Sequence, residues 1–208
     1  MEDAERRAAL VRLLARSGIR DERVLDALGR VPRERFVPDD LAEDAYEDRA
    51  LPIGEGQTIS QPYVVARMTE LLDVRPEHHV LEVGTGSGYQ AAVLALLARD
   101  VVTVERHEPL ARSAAVRLAD LGYANARVVH GDASGGHAPE APYDRILVAA
   151  AAPAIDALAA QLAPGGRIVA PVGDLDSQEL VVRHADGRVE HAGPVRFVPL
   201  IGERGFRQ

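Results

Sequence analysis

The sequence predicts an α/β fold: a mostly parallel, doubly wound sheet with helices on both faces, a helical extension at the N-terminus and an antiparallel hairpin near the C-terminus. Three observations support this prediction. Apolar runs typical of buried strands alternate with segments of helical periodicity. The run at residues 80–83 passes directly into the turn Gly84-Thr85-Gly86-Ser87-Gly88, and a helical pattern follows it. Near the end of the chain, Ala185-Asp186-Gly187-Arg188 is a hairpin signal between two strand patterns.

The N-terminal region is predicted to form two helices and a connector. Apolar residues at helical spacing indicate a helix over residues 3–16. Asp21 is expected to cap a second helix that runs through Leu28 and ends at Gly29. The proline-bounded segment 31–38 carries two arginines between its prolines and one aromatic residue, and we expect it to be a connector that packs over a cleft.

Residues 51–62 are predicted to form a functional loop. The segment contains two glycines and small hydroxyl residues, and Pro62 is placed to begin the next helix. Ser60 or Gln61 would cap this helix, whose free amides would form an anion site suited to a carboxylate. The alternative role for Thr58 and Ser60 is ordinary helix capping.

The remaining elements alternate, as a doubly wound sheet requires. We predict strands over residues 101–104, 126–130, 143–149, 167–172, 179–183 and 189–198, and helices over residues 91–97, 107–121 and 153–162. The sequence Pro164-Gly165-Gly166 is expected to break the last helix before the next strand. The order of the final strands within the sheet stays open.

The glycine turn predicts a nucleoside cofactor. Glu105 ends the strand after the turn, where its carboxylate can accept hydrogen bonds from both ribose hydroxyls. A dinucleotide site would place glycine or alanine where this chain has Tyr89, so that cofactor class is disfavoured. Gly-x-Gly-x-Gly preceded by the acidic Glu82 instead looks like the S-adenosylmethionine turn of class I methyltransferases. Asp132, which follows the strand at 126–130, is a candidate to hold the adenine amine, with a turn-forming role as the alternative.

Composition restricts the function classes further. The 208 residues carry a net charge of −8 without a basic cluster, which argues against a nucleic-acid partner. The chain has no cysteine and no lysine, which excludes thiolate metal sites, a cysteine nucleophile and Schiff-base chemistry. The seven histidines form no metal-binding pattern, and we expect no metal. No signal core and no run of about 18 apolar residues is present, so we expect a cytoplasmic protein without membrane contact. We also expect a monomer.

With these residues laid out, the chain resembles the protein-L-isoaspartate O-methyltransferases over about residues 18–206. The glycine turn through Tyr89 takes part in this resemblance. The other segments that carry it are Arg30-Val31-Pro32-Arg33-Glu34-Arg35-Phe36-Val37-Pro38, Leu51-Pro52-Ile53-Gly54, Gly56-Gln57-Thr58-Ile59-Ser60-Gln61-Pro62, Ala141-Pro142-Tyr143-Asp144, Gln161-Leu162, Gly165-Gly166-Arg167 and Arg196-Phe197-Val198-Pro199-Leu200. The Thr-Ile-Ser loop is the specific one, because class I methyltransferases in general share the glycine turn but not this loop.

The resemblance implies a Rossmann-like class I methyltransferase with S-adenosylmethionine as methyl donor and isoaspartyl-containing proteins and peptides as acceptors. The free α-carboxylate of the isoaspartyl residue would be methylated, and the ester would cyclise to a succinimide that can reopen to aspartate. It implies Ser60 as the active-site residue. The cofactor-binding residues are then expected to be Gln57, Thr58, Ile59, Glu82, Gly84, Thr85, Gly86, Ser87, Glu105, Asp132 and Ala133. Ala133 and Ala149 stand where the family often has glycine and threonine, and the first difference could narrow the adenine slot.

We expect a single methyltransferase domain over residues 1–208. Residues 1–62 would supply a helical or lid segment and the active-site loop, residues 63–175 the cofactor-binding core and residues 176–208 the C-terminal hairpin. Two alternatives stay open. One is a relative that esterifies a specific aspartate in a dedicated peptide to form an aspartimide, and the other is a catalytically silent binding module.

Overall fold

A computed structural model describes residues 2–207 and confirms the α/β architecture. Within these residues the helices are α1 (Asp3–Arg16), α2 (Glu22–Arg30), α3 (Pro62–Leu72), α4 (Tyr89–Ala95), α5 (Glu108–Asp120) and α6 (Asp156–Ala159). The strands are β1 (Leu51–Gly54), β2 (Gln57–Ile59), β3 (His79–Val83), β4 (Asp100–Glu105), β5 (Ala126–His130), β6 (Tyr143–Val148), β7 (Leu162–Gly173), β8 (Gln178–His184) and β9 (Val189–Val195). No helix in this part of the chain is long and apolar enough to cross a bilayer.

Seven of these strands form one sheet in the order β5-β4-β3-β6-β7-β8-β9. The pairings from β5 through to β7 are parallel, and β7, β8 and β9 pair antiparallel. The predicted C-terminal hairpin is therefore confirmed, and the structure adds its position at one edge of the sheet. Strands β1 and β2, which lie within the predicted functional loop, pair as an antiparallel hairpin outside the main sheet.

Alternate residues of β3 contribute to the cores on opposite faces of the sheet, as the period of a strand requires. Val80 packs in one apolar cluster with Met68 of α3 and Leu94 of α4. Leu81 belongs to a second cluster that contains Leu158 of α6. Both faces are thus covered, which explains why the central strands are continuous apolar runs.

The N-terminal helices pack against the start of α4. Leu14 of α1 and Leu28 of α2 share an apolar cluster with Phe36 and Tyr89. The rings of Phe36 and Tyr89 meet edge to face with centroids 5.6 Å apart. Because Tyr89 directly follows the glycine turn, this cluster anchors the N-terminal extension beside the predicted cofactor site.

Two of the predicted helices have clearly different bounds in the structure. Helix α2 continues through Gly29 to Arg30, and it ends because Val31 precedes Pro32 and adopts an extended backbone. The helix predicted over residues 153–162 is reduced to the single turn of α6.

The reason for the short α6 is that sheet pairing takes up the chain on both sides of it. Ala151 and Ala152 form bridges with Pro199 and Val172 before the helix. After it, Leu162 already pairs with Tyr143 of β6. The segment Pro164-Gly165-Gly166, predicted to separate helix from strand, consequently lies within β7.

Candidate functional site

The candidate site lies where β3 passes into the glycine turn. The chain runs from β3 outward to β4 and β5 and then returns to β6 on the other side of β3, so the strand order reverses at this point. Open α/β sheets bind ligands in the crevice at such a reversal, beyond the carboxyl ends of the strands. The turn is held on both sides, because Gly84 N–H donates to Val104 O and Ala149 N–H donates to Val83 O.

The glycines of the turn are required by its backbone. Gly84 and Gly88 have φ of +91° and +90°, values that glycine adopts without strain. A Cβ at Gly88 would lie 3.4 Å from the Cβ of Ala114 on α5. The turn therefore lies close against α5 at Gly88.

Glu105 ends β4 beside this turn, as predicted. Its side chain is only 5% exposed. One carboxylate oxygen accepts a hydrogen bond from Gly86 N–H and the other from His107 N–H, each at 2.9 Å. Each oxygen keeps a further lone pair, so the carboxylate can still accept hydrogen bonds from a pair of ribose hydroxyls.

A narrow cleft joins the β1–β2 hairpin to the glycine turn, and we call it the donor cleft. It brings together eight of the predicted residues: Thr58, Ile59, Ser60, Gly84, Thr85, Gly86, Ser87 and Glu105. Tyr89, Gln90 and Ala149 complete much of its lining. The fit to a nucleoside is chemical: bare glycine backbone, one buried carboxylate and apolar walls.

A larger cavity of about 820 Å³ adjoins the donor cleft, and we call it the acceptor cavity. Thr58, Ser60 and Ala149 line both spaces, so Ser60 lies in their common wall. Within residues 2–207 the Ser60 hydroxyl has no hydrogen-bond partner that meets the usual geometric limits. It is thus free to donate a hydrogen bond to a ligand in either space.

Glu82 does not line the donor cleft. It is fully buried beneath the turn, where Thr103 Oγ1 donates a hydrogen bond of 2.5 Å to its Oε2. Its Oε1 has no partner among the described residues. Burial, reinforced by the nearby Glu105 and opposed by Thr103, raises the pKa of Glu82 to about 8. The carboxyl group is consequently protonated in most molecules at neutral pH.

The structure separates the other three predicted residues from the cleft. Gln57 lies on β2, and its side-chain amide donates to Glu55 O. The carboxylate of Asp132 accepts from the backbone N–H groups of Ser134 and Glu203, both at 2.8 Å. Although burial opposes it, these hydrogen bonds lower the pKa of Asp132.

Asp132 lines a smaller cavity of about 370 Å³ together with Ile201 and Gly202 of the C-terminal segment. Ala133 is buried in the apolar cluster on the α6 face of the sheet. The predicted adenine-binding pair therefore lies next to the donor cleft along the sheet edge, one strand beyond Glu105.

The anion site predicted at the start of α3 is occupied by a side chain of the protein itself. Tyr63 N–H donates to Asp48 Oδ1 at 2.8 Å, and the Gln61 side-chain amide donates to Asp48 Oδ2 at 3.0 Å. Asp48 lines the acceptor cavity and was missed in the sequence. Gln61 is the N-cap residue, one of the two predicted, but its side chain makes no capping bond. No local signal pointed to Asp48, because it lies 15 residues before the amide that donates to it.

Arg33 was also missed as a site residue. It is fully buried, its Nε donates to Ala45 O, and its Nη2 donates to Ser60 O, both at 2.8 Å. The signal was its position between prolines in a segment with apolar neighbours. Arg33 and Asp48 together fix the corner of the chain at Ser60, which lies between the two cavities.

Comparison with known proteins identifies relatives that match most of the chain. The family model of protein-L-isoaspartate(D-aspartate) O-methyltransferase matches residues 5–205. A protein-L-isoaspartate O-methyltransferase of Methanoculleus marisnigri is 56% identical over 194 residues, which cover 91% of this chain and 88% of the relative. Another, of Koribacter versatilis, is 54% identical over 197 residues, covering 93% and 89%.

Two solved structures resemble this chain over nearly its full length. A protein-L-isoaspartate O-methyltransferase superposes with a TM-score of 0.85 at 28% identity, over 96% of this chain and 67% of that protein. A Plasmodium falciparum protein solved in complex with S-adenosyl-L-homocysteine superposes with a TM-score of 0.81 over 94% of this chain and 98% of its own. At 24% identity this second likeness concerns the fold.

Proposed function

The chain belongs to the protein-L-isoaspartate(D-aspartate) O-methyltransferase family, and we propose on that premise how its residues serve the family's reaction. The protein transfers a methyl group from S-adenosylmethionine to the free α-carboxylate of L-isoaspartyl residues in damaged proteins and peptides. The methyl ester then cyclises to a succinimide, which opens the route back to aspartate. A net charge of −8 supports peptides rather than nucleic acids as acceptors.

We propose that the donor cleft holds S-adenosylmethionine, whose sulfonium supplies an electrophilic methyl group when it is bound. Glu105 would accept hydrogen bonds from the ribose hydroxyls, and the bare backbone at Gly84 and Gly86 would allow close approach of the ligand. Asp132, one strand further along the sheet edge, would border the adenine. Glu82 supports the turn from beneath and does not touch the ligand in this assignment.

The acceptor carboxylate needs no general base. A carboxyl group with a pKa near 4 is ionised at neutral pH, and it already is the nucleophile. The residues of the acceptor cavity therefore need only hold it in line with the methyl group, at a reacting distance of about 3 Å, and remove water from it. Ser60 is the residue we propose for this task, because it lies in the wall that both cavities share.

The proposed role of Ser60 rests on its location in the wall shared by the donor cleft and the acceptor cavity, and a substitution tests it. We expect Ser60→Ala to retain the affinity for S-adenosylmethionine but to reduce methyl transfer to an isoaspartyl peptide by roughly 10- to 100-fold, the usual scale for loss of one positioning contact. The measurement is transfer of labelled methyl, with the aspartyl form of the same peptide as substrate control. Ser17→Ala, at the exposed end of α1, is the matched protein control. Unchanged turnover in Ser60→Ala would remove Ser60 from the mechanism.

We also propose that residues 1–208 act as one methyltransferase domain. The apolar cluster that joins α1 and α2 to Tyr89 supports this, because the N-terminal extension shares a core with the first helix of the cofactor-binding region.

A further inference from the structure

Arg33 is the largest fully buried side chain in the described part of the protein. Its guanidinium lies within 4.0 Å of no carboxylate in residues 2–207, so it makes no salt bridge there. Two of its nitrogens donate to the carbonyl oxygens of Ala45 and Ser60, and Nη1 makes no hydrogen bond of normal geometry to any residue that the structure describes. An arginine keeps its charge in proteins, and a buried charge without an ionic partner is strongly unfavourable unless something else compensates it.

The compensation inside the protein is partial. The guanidinium carbon of Arg33 lies 4.7 Å from the ring centroid of Tyr89, a distance at which the aromatic face attracts a cation. Tyr89 is the neighbour that acts most strongly on Arg33, through its hydroxyl as well as its ring. Asp48 is the carboxylate whose charge also acts on Arg33, but it makes its own contacts to Tyr63 and Gln61. Neither neighbour provides the paired carboxylate oxygens that a buried guanidinium ordinarily takes.

The uncompensated charge lies directly behind the reaction site. The hydrogen bond of 2.8 Å from Arg33 Nη2 ends on the carbonyl of Ser60, the residue that lines both cavities. Tyr89, whose ring lies against the guanidinium, lines the donor cleft. A cation in this position is shielded from water and its salt, so its attraction for a ligand in the cavity is screened far less than that of a surface arginine.

We infer that Arg33 is a positioning residue for the acceptor. Its buried charge lies behind Ser60 and favours a carboxylate over a neutral group in the acceptor cavity, and its hydrogen bond to the Ser60 carbonyl holds the serine in place. The inference rests on the proposed function. It explains why a cation is buried at this point, where a neutral side chain could have supported the same two carbonyls. The incoming substrate carboxylate is the ionic partner that the folded protein lacks.

The expected size of the effect follows from Coulomb's law. For unit charges about 8 Å apart in a medium with an effective dielectric constant of about 20, the attraction corresponds to roughly thirtyfold in a binding constant. The charge of Asp48 is present in the natural protein and in the variants and cancels from their comparison, whereas solvent in the open cavity screens part of the attraction, so we expect Arg33 to contribute about tenfold to the preference for a carboxylate.

The test compares two peptides that differ only in charge. One contains L-isoaspartate, and in the other the free α-carboxylate is replaced by a carboxamide of the same shape. Their dissociation constants are measured by calorimetry in the presence of S-adenosylhomocysteine for the natural protein and for Arg33→Gln, Arg33→Lys and Arg35→Met. Glutamine keeps a hydrogen-bond donor without charge, and lysine keeps the charge. Arg35, exposed on the same turn of 3-10 helix, is the matched control.

We expect the preference for the carboxylate peptide to fall about tenfold in Arg33→Gln, to be largely retained in Arg33→Lys and to be unchanged in Arg35→Met. If Arg33→Gln weakens both peptides equally, Arg33 is only a structural support and the inference is overturned. If Arg33→Gln does not fold, as judged by circular dichroism, Arg33→Met takes its place as the neutral variant, and an unchanged preference there overturns the inference. Absence of methyl transfer to the isoaspartyl peptide by the natural protein would instead refute the proposed function.

Discussion

Replacing Glu82 by glutamine is expected to remove the loss of folding stability that the Glu82 carboxyl group causes as the pH rises from 5 to 8. Glu82 is fully buried, with one oxygen bonded to Thr103 Oγ1 and the other without a partner in the described residues. Burial raises the pKa of this carboxyl group from 4.5 to about 8. Glutamine has the same shape and no charge, so it imitates the protonated acid and does not titrate.

The direction follows from where the proton is bound. Between pH 4.5 and about 8 the folded protein holds the Glu82 proton and the unfolded chain has lost it. The natural protein is therefore most stable, in this respect, below the unfolded pKa, and it loses stability as the pH rises toward 8. The loss is about 1.4 kcal/mol per pH unit, or about 4 kcal/mol between pH 5 and pH 8.

Urea unfolding of the natural protein and of Glu82→Gln at half-unit steps from pH 5 to pH 9 measures this difference. All other titrating groups are common to both proteins, so their contributions cancel. We expect the free energy of unfolding of Glu82→Gln, minus that of the natural protein, to increase with pH up to about 8 and to level off above it. Parallel profiles over the whole range would refute the assignment of a raised pKa to Glu82.

Three further substitutions test other parts of the site. Glu105→Ala should weaken binding of S-adenosylmethionine at least about tenfold in a calorimetric titration, because it removes the carboxylate beside the glycine turn; natural affinity would contradict the ribose assignment. Asp48→Asn keeps an oxygen that accepts from the first amide of α3 but removes a negative charge from the acceptor cavity. The KM for an isoaspartyl peptide should therefore fall a few-fold, and a higher KM would count against that cavity as the carboxylate site. Gly202→Ala should lower the free energy of unfolding in urea by about 1–3 kcal/mol, because its Cβ would lie 2.2 Å from Asp132 Oδ1; a value equal to that of the natural protein would show that the C-terminal segment yields freely.

Much of the sheet and its glycine turn could be predicted, because their signals are local. Residues 80–89 contain a buried strand, a turn with three glycines of positive φ and the first residue of a helix, so the signals lie in adjacent residues. The helix predicted over residues 153–162 failed for the opposite reason. Its flanks pair with Val172 and Pro199, and local periodicity does not encode partners so distant in the chain.

The same distinction separates the site residues. Glu105 follows from its spacing after the turn, whereas Arg33 takes its role from carbonyls 12 and 27 residues away. Glu82 was expected near the cofactor because it adjoins the turn, but it faces Thr103, its cross-strand partner on β4. Asp48 could not be assigned from sequence, since only the folded chain brings it to the start of α3.

The return of the chain from β5 to β6 has a consequence for biosynthesis. Val80 in the central strand pairs with Val101 on one side and with Arg145 on the other, so β3 cannot complete its hydrogen bonding until β6 has been synthesised. Parallel pairing across such a separation is intrinsically slow, and an arrested chain would leave one edge of β3 open to association with other chains. Ala149, which lines both cavities, is added just after β6. Donor binding by a nascent chain would thus report that the central strands have closed around the turn, and not merely that the turn itself exists.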